Sequence, residues 1–109
     1  MKFNHVGYRS YVKREGEMYY EPNKVWITNA EGHPFKVEWL RYEDDSPVLE
    51  PVKSQPHVGF VVNNLEEALE GQNLLLGPMV INEHLRVAFC QTKDKVVVEL
   101  MEQSKKNDS

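Results

Sequence analysis

The tetrapeptide His5-Val6-Gly7-Tyr8 returns, about half a chain later, as His57-Val58-Gly59-Phe60. Repeats at that spacing constrain a fold more than composition does, because each copy must occupy an equivalent place in a shared core. Each copy opens an alternating or apolar run, Phe3 to Ser10 and His57 to Val62, with the period of a strand. A second echo closes each half: Lys36-Val37-Glu38-Trp39-Leu40 resembles Val97-Val98-Glu99-Leu100-Met101 in setting Val-Glu before bulky apolar residues. A chain of 109 residues has room for one compact domain and not for two independent cores. The halves are therefore read as modules of a single domain over residues 1–109. Module 1 spans about 1–45, a linker about 46–55, module 2 about 56–102, and a polar, frayed tail 103–109.

Within module 1, Val25-Trp26-Ile27-Thr28 is β-branched and aromatic, and Asn29 to Pro34 is rich in turn formers. Phe35 to Tyr42 then alternates, so a hairpin is expected. The stretch Tyr11 to Pro22 is polar and poorly periodic and reads as a short helix or a loop. In module 2, Asn64 is placed to cap a helix with Glu66 and Glu67 in its first turn and Leu65, Ala68 and Leu69 on one face. Gly71 terminates it. Strands over Pro78 to Asn82, Leu85 to Thr92 and Val96 to Glu102 follow, with Lys93-Asp94 as a tight turn.

Composition narrows the class. The chain is 40% hydrophobic and 28% charged, ordinary for a globular protein, and its net charge of -4 lacks the clustered basic excess of a nucleic-acid binder. Lys13-Arg14 and Lys105-Lys106 read as solvated surface. No apolar run approaches the length of a membrane span, and the N-terminus is no signal peptide. The single Cys90 cannot form an intrachain disulfide; it reads as a small buried hydrophobe in a reducing, cytoplasmic setting.

Chemistry is expected where alternation puts polar groups among apolar ones. Glu99 shares a strand face with Val97 and Met101, and Glu38 is flanked by Val37, Trp39 and Leu40. A carboxylate in such a run needs a partner, because burying it alone is expensive. His5 and His57 each begin a strand leading into hydrophobic sequence. If the modules pack as related copies, two imidazoles and two carboxylates converge on one face. That ligand set suits one divalent ion of the Zn, Ni, Co, Mn or Fe type. Arg9, two strand steps along from His5 by way of Gly7, is placed to meet an anionic substrate, and Trp39 to wall a pocket. His33 and His84 read as exposed turn residues, and Arg41 and Arg86 as surface.

The order His-Val-Gly, Val-Glu-aromatic, Pro-His-Val-Gly-Phe and Val-Val-Val-Glu-Leu-Met-Glu resembles the glyoxalase/bleomycin-resistance (vicinal oxygen chelate) superfamily, most strongly from Gln55 to Glu102. The resemblance implies an α+β fold of paired βαβββ modules curling a mixed or antiparallel sheet into a cup, here with the first helix shortened or missing. It further implies His5 and Glu38 as one module's metal ligands and His57 and Glu99 as the other's. Glu99, with Glu38 second, is the expected base. Glu43 and Glu50 stand as the nearest substitutes for Glu38, and Thr92-Lys93-Asp94-Lys95 replaces the family's frequent proline-glycine turn. The implied activity is that of a metal-dependent lyase or isomerase acting on a small molecule with vicinal oxygens, through an enediolate or enolate. A non-catalytic sequestering protein of the same fold is the alternative, and a homodimer the expected assembly.

Overall fold

Eight β-strands, one α-helix of five residues and two 3-10 turns make up the regular structure of residues 1–104, the part of the chain that the computed structural model describes. Among these residues no helix is long and apolar enough to cross a membrane. The strands are β1 (Lys2–Arg9), β2 (Met18–Tyr20), β3 (Val25–Ile27), β4 (Val37–Tyr42), β5 (His57–Val62), β6 (Asn73–Asn82), β7 (Leu85–Gln91) and β8 (Val97–Gln103). The helix α1 covers Leu65–Leu69. Two units are distinguishable, one running from His5 to His57 and the other combining Met1–Asn4 with the chain from Val58 onward.

In the His5–His57 unit the strand order is β2-β3-β4-β1. β1 and β4 run parallel, with Gly7 opposite Glu38 and Tyr8 opposite Trp39, while β3 pairs antiparallel with both β2 and β4. The expected hairpin is present as β3 and β4, joined through a 3-10 turn in which the Asn29 side chain accepts from the Glu31 N–H at 2.9 Å. Alternation divides this unit into two faces. His5, Gly7, Arg9, Glu38, Leu40 and Tyr42 share one, and Tyr8, Trp39, Arg41 and Trp26 the other. No helix forms in Tyr11 to Pro22 beyond a 3-10 turn at Glu21–Asn23; Met18–Tyr20 instead makes an edge strand. The segment before it covers the second face with charged groups. Arg41 donates to Glu17 at 2.9 and 2.7 Å while lying 5.4 Å from the Trp26 ring centre. The residues read as a linker do more than connect, because Val48 and Val52 are buried with Val25 and Leu40.

In the other unit the order is β5-β8-β7-β6, with β6–β7 and β7–β8 antiparallel. Asn64 caps α1 as its position predicts, its side chain accepting from the Glu67 N–H at 3.0 Å. Glu102 accepts from the Leu65 N–H at 3.1 Å, and Arg86 bridges Glu102 and Glu66, so the short helix is held at its start by side chains from β7 and β8. Its apolar face packs Leu65 and Ala68 with Ala88, Cys90 and Leu100. β6 begins five residues before the expected Pro78, continuing past Gly77, whose φ of +91° and approach to the Val87 carbonyl exclude a side chain. Of the polar tail, Gln103 closes β8 and Ser104 bonds back to the His84 carbonyl at 2.9 Å; residues 105–109, with Lys105-Lys106, lie outside the described residues.

Two outcomes test these contacts. Leu65, fully buried on the inner face of α1, is expected to cost about 2–5 kcal/mol as Leu65→Ala in urea unfolding, through lost burial and the cavity left behind. Glu17 has its carboxyl held below the ordinary glutamate range, chiefly by the hydrogen bond from Arg41. A carboxylate with a lowered folded-state pKa contributes stability that is present above its unfolded value and lost as pH falls through the folded one. The stability gap between wild type and Glu17→Gln is therefore expected to be largest near neutral pH and to shrink below about pH 4. Unfolding midpoints measured at several pH values check this.

Candidate metal centre

A buried histidine in the middle of β1 meets a second one, at the head of β5, because residue 7 has no side chain. His5 and His57 are 1% and 3% exposed, and a Cβ on Gly7 would fall 2.1 Å from the His57 ring. The two rings stand almost perpendicular, at 89° with centres 5.2 Å apart, and their Nε2 atoms approach to 3.1 Å. Glu38, opposite Gly7 in the register, brings Oε1 to 3.6 Å from His5 Nε2 and 3.7 Å from His57 Nε2. All three side chains belong to the His5–His57 unit, and each offers a donor atom within 4.8 Å of the others.

These spacings fit a metal ion. Bonds of about 2.0–2.2 Å set neighbouring donors about 3.0 Å apart at right angles and about 3.4 Å apart at tetrahedral angles. The observed 3.1 Å between the two nitrogens lies between these spacings, and the 3.6 and 3.7 Å to Glu38 lie slightly above them, so a small inward movement of Glu38 suffices. Two imidazole nitrogens and a carboxylate oxygen form a borderline donor set that favours Zn, Ni, Co, Fe or Mn over Mg and Ca. A bound ion would be held by Nε2 of both histidines and by Glu38.

Of the other residues expected here, Glu99 lies in the second unit, on β8. It is 8% exposed and shares its face with Val97 and Met101, while Val98 and Leu100 pack under α1. Glu43 and Glu50 are not near the histidines: Glu43 accepts from the Trp26 indole and the Tyr19 hydroxyl, and Glu50 from Ser54. Arg9 follows Gly7 on the same face. Its Nε is buried with no partner among the described residues, and its guanidinium lies 4.7 Å from the Tyr11 ring centre. It lines a narrow slot with His57, Lys53 and Gln55.

Trp39 does not wall this centre. It follows Glu38 directly, so alternation turns it to the opposite face, where it contacts Tyr8 and carries Arg14 at 3.8 Å. His33 is half-buried rather than exposed, accepting the Phe35 N–H through Nδ1 at 3.0 Å. His84 is exposed at the β6–β7 turn, as expected. Cys90 is buried, which pushes its thiol up and leaves it unreactive. Sequence reasoning missed the part of Gly7. Its signal was a glycine inside a strand, a common mark of close approach.

No protein-family model matches the chain, and no curated protein does. Among solved structures, a hypothetical protein from Bacillus halodurans C-125 aligns over 99% of this chain and 98% of its own, with a TM-score of 0.70 and 18% identity. An uncharacterized protein from Methanosarcina mazei aligns over 98% of both chains, with a TM-score of 0.59 and 18% identity. These two share the fold. A glyoxalase family protein from Bacillus cereus aligns over 74% of this chain and 60% of its own, with a TM-score of 0.44 and 15% identity.

Gly7→Ala tests the geometry. The added methyl overlaps the His57 ring, so overpacking is expected to cost about 1–3 kcal/mol and to displace the imidazole. The change is read from the His5 and His57 ring resonances, which should both move while those of His33 and His84 stay in place.

Proposed function

We propose that this chain is a metal-dependent lyase or isomerase of the glyoxalase-like type, acting on a small molecule with adjacent oxygens. The observation that carries the reading is the buried pair of histidines whose Nε2 atoms meet 3.1 Å apart beside Glu38. In this reading Glu99 is the fourth ligand. It is a buried carboxylate in an apolar strand, where Glu38 is partly buried, and it follows His57 along the sequence as Glu38 follows His5. The arrangement proposed is a pair of βαβββ modules forming a cup, the first having lost its helix.

Held by His5, His57 and Glu38, a divalent ion would supply Lewis-acid chemistry toward a substrate's neighbouring oxygens. The chain's own groups do the rest. Glu99 takes the proton from the carbon beside the carbonyl and returns it to the adjacent position, with Glu38 the second candidate for that role. Arg9, whose buried Nε has no hydrogen-bond partner among the described residues, meets an anionic end of the substrate. The single unpaired cysteine agrees with a reducing, cytoplasmic setting, and the proposed assembly is a homodimer.

Protein purified without added metal, then titrated with Zn, Ni, Co and Mn salts, is expected to hold close to one equivalent of at least one ion. His57→Ala should lose at least about ten-fold in affinity, because one of the donors is gone. A wild type that neither carries nor takes up a stoichiometric ion overturns the proposal. Catalysis is read separately, as exchange of a substrate's α-proton with deuterated solvent, abolished in Glu99→Gln.

A further inference from the structure

The face of β3 and β4 turned away from the histidines carries two arginines over two tryptophans, and they differ in one respect. Arg41, near Trp26, spends its guanidinium fork on Glu17, whose side chain is 4% exposed. Arg14 lies closer to its tryptophan, 3.8 Å from the Trp39 ring centre, and Ser10 Oγ accepts from its Nε at 3.0 Å. Its two terminal nitrogens meet no acceptor among the described residues. Stacking occupies the flat face of a guanidinium and leaves the N–H edge available, with its freedom already reduced.

Arg14 borders a cleft of about 360 Å³ walled by Trp39, Thr28, Asn29 and His33. Thr28, Asn29 and His33 each already accept one backbone hydrogen bond. Thr28 Oγ1 accepts from the Trp39 N–H, Asn29 Oδ1 from the Glu31 N–H, and His33 Nδ1 from the Phe35 N–H. They retain donors: a hydroxyl hydrogen, an amide NH2 and, since Nδ1 accepts, the Nε2–H of a neutral imidazole. Glu15 also lines the cleft, so the groups there that suit an acceptor-only ligand are the Arg14 fork and the donors of Thr28, Asn29 and His33.

We propose that this cleft binds a small oxyanion, a carboxylate or phosphate group, in the fork of Arg14, so that the ligand stands to Arg14 and Trp39 as Glu17 stands to Arg41 and Trp26. The site is separate from the metal centre, on the other face of the same strands. It does not depend on the function proposed above.

Two probes, inorganic phosphate and succinate, test it on the whole protein at constant ionic strength, with sodium chloride as control. The readouts are the Arg14 Nε–Hε resonance and tryptophan emission. A saturable shift of that resonance is expected with at least one probe below about 50 mM, and the tighter probe identifies the group bound. Arg14→Lys, which cannot present two parallel donors, is expected to weaken the emission response by at least about ten-fold while keeping the wild-type unfolding midpoint. No shift of the Arg14 resonance with either probe overturns the proposal, as does a response reproduced by sodium chloride or retained in Arg14→Lys. If that variant fails to fold, the wild-type titration decides alone.

Discussion

The centre of the His5–His57 unit depends on an absent side chain. With hydrogen alone at residue 7, the His57 imidazole lies against the β1 backbone, and its Nε2 comes within 3.1 Å of His5 Nε2. Two nitrogens that close impose a choice. Without a cation one must donate and the other accept, which assigns the two rings opposite tautomers at Nε2. With a cation both present lone pairs to the same point, and Glu38 supplies the negative charge. The perpendicular rings suit the second arrangement as well as the first, because each nitrogen lone pair lies in the plane of its own ring.

Alternation keeps this chemistry apart from a second, outward chemistry. Each strand residue beside a member of the histidine face belongs to the other: Tyr8 after Gly7, Trp39 after Glu38, Arg41 after Leu40. In the unit containing α1, the corresponding task of covering a sheet face falls to apolar groups, Leu65 and Ala68 over Ala88, Cys90 and Leu100. In the His5–His57 unit the cover is the segment around Arg14 and Glu17, which works by stacking and ion pairing. An apolar cover is complete once it excludes water. A cover made of guanidinium groups is complete only when their N–H donors find acceptors, and for Arg14 the described residues provide just one.

Much of this was legible in the sequence because it follows from period and punctuation. Strands β1, β4, β5 and β8 announce themselves by alternation, and Asn64 before Leu65-Glu66-Glu67 is a cap whose mechanism is local. Glu38 could be singled out as a carboxylate in an apolar strand, and parallel pairing with β1 then sets it opposite Gly7. Strand β2 could not be found that way, since three residues are too few to establish a two-residue period. Strand β6 was legible only from Pro78 because Gly77-Pro78 reads as a break, whereas the strand passes through it with a shift of register. Trp39 is a different case. Its adjacency to Glu38 already placed it on the opposite face, where it walls the cleft beside Arg14 rather than the histidine centre.

The charge balance at the triad argues that metal binding and folding are linked here. His5 and His57 are almost wholly buried, and the Glu38 side chain is 19% exposed, so water has little access to solvate the group. Placing a carboxylate beside two imidazoles where water has little access concentrates negative charge that a cation would offset. A divalent ion changes each term in the same direction: it accepts both lone pairs, neutralises the carboxylate and needs little water of its own. An ion that binds the folded arrangement and finds no such arrangement in the unfolded chain stabilises the fold by mass action. The glycine that lets the histidines meet thus shapes a group that could hold a metal ion, and an ion held there would stabilise the fold around it.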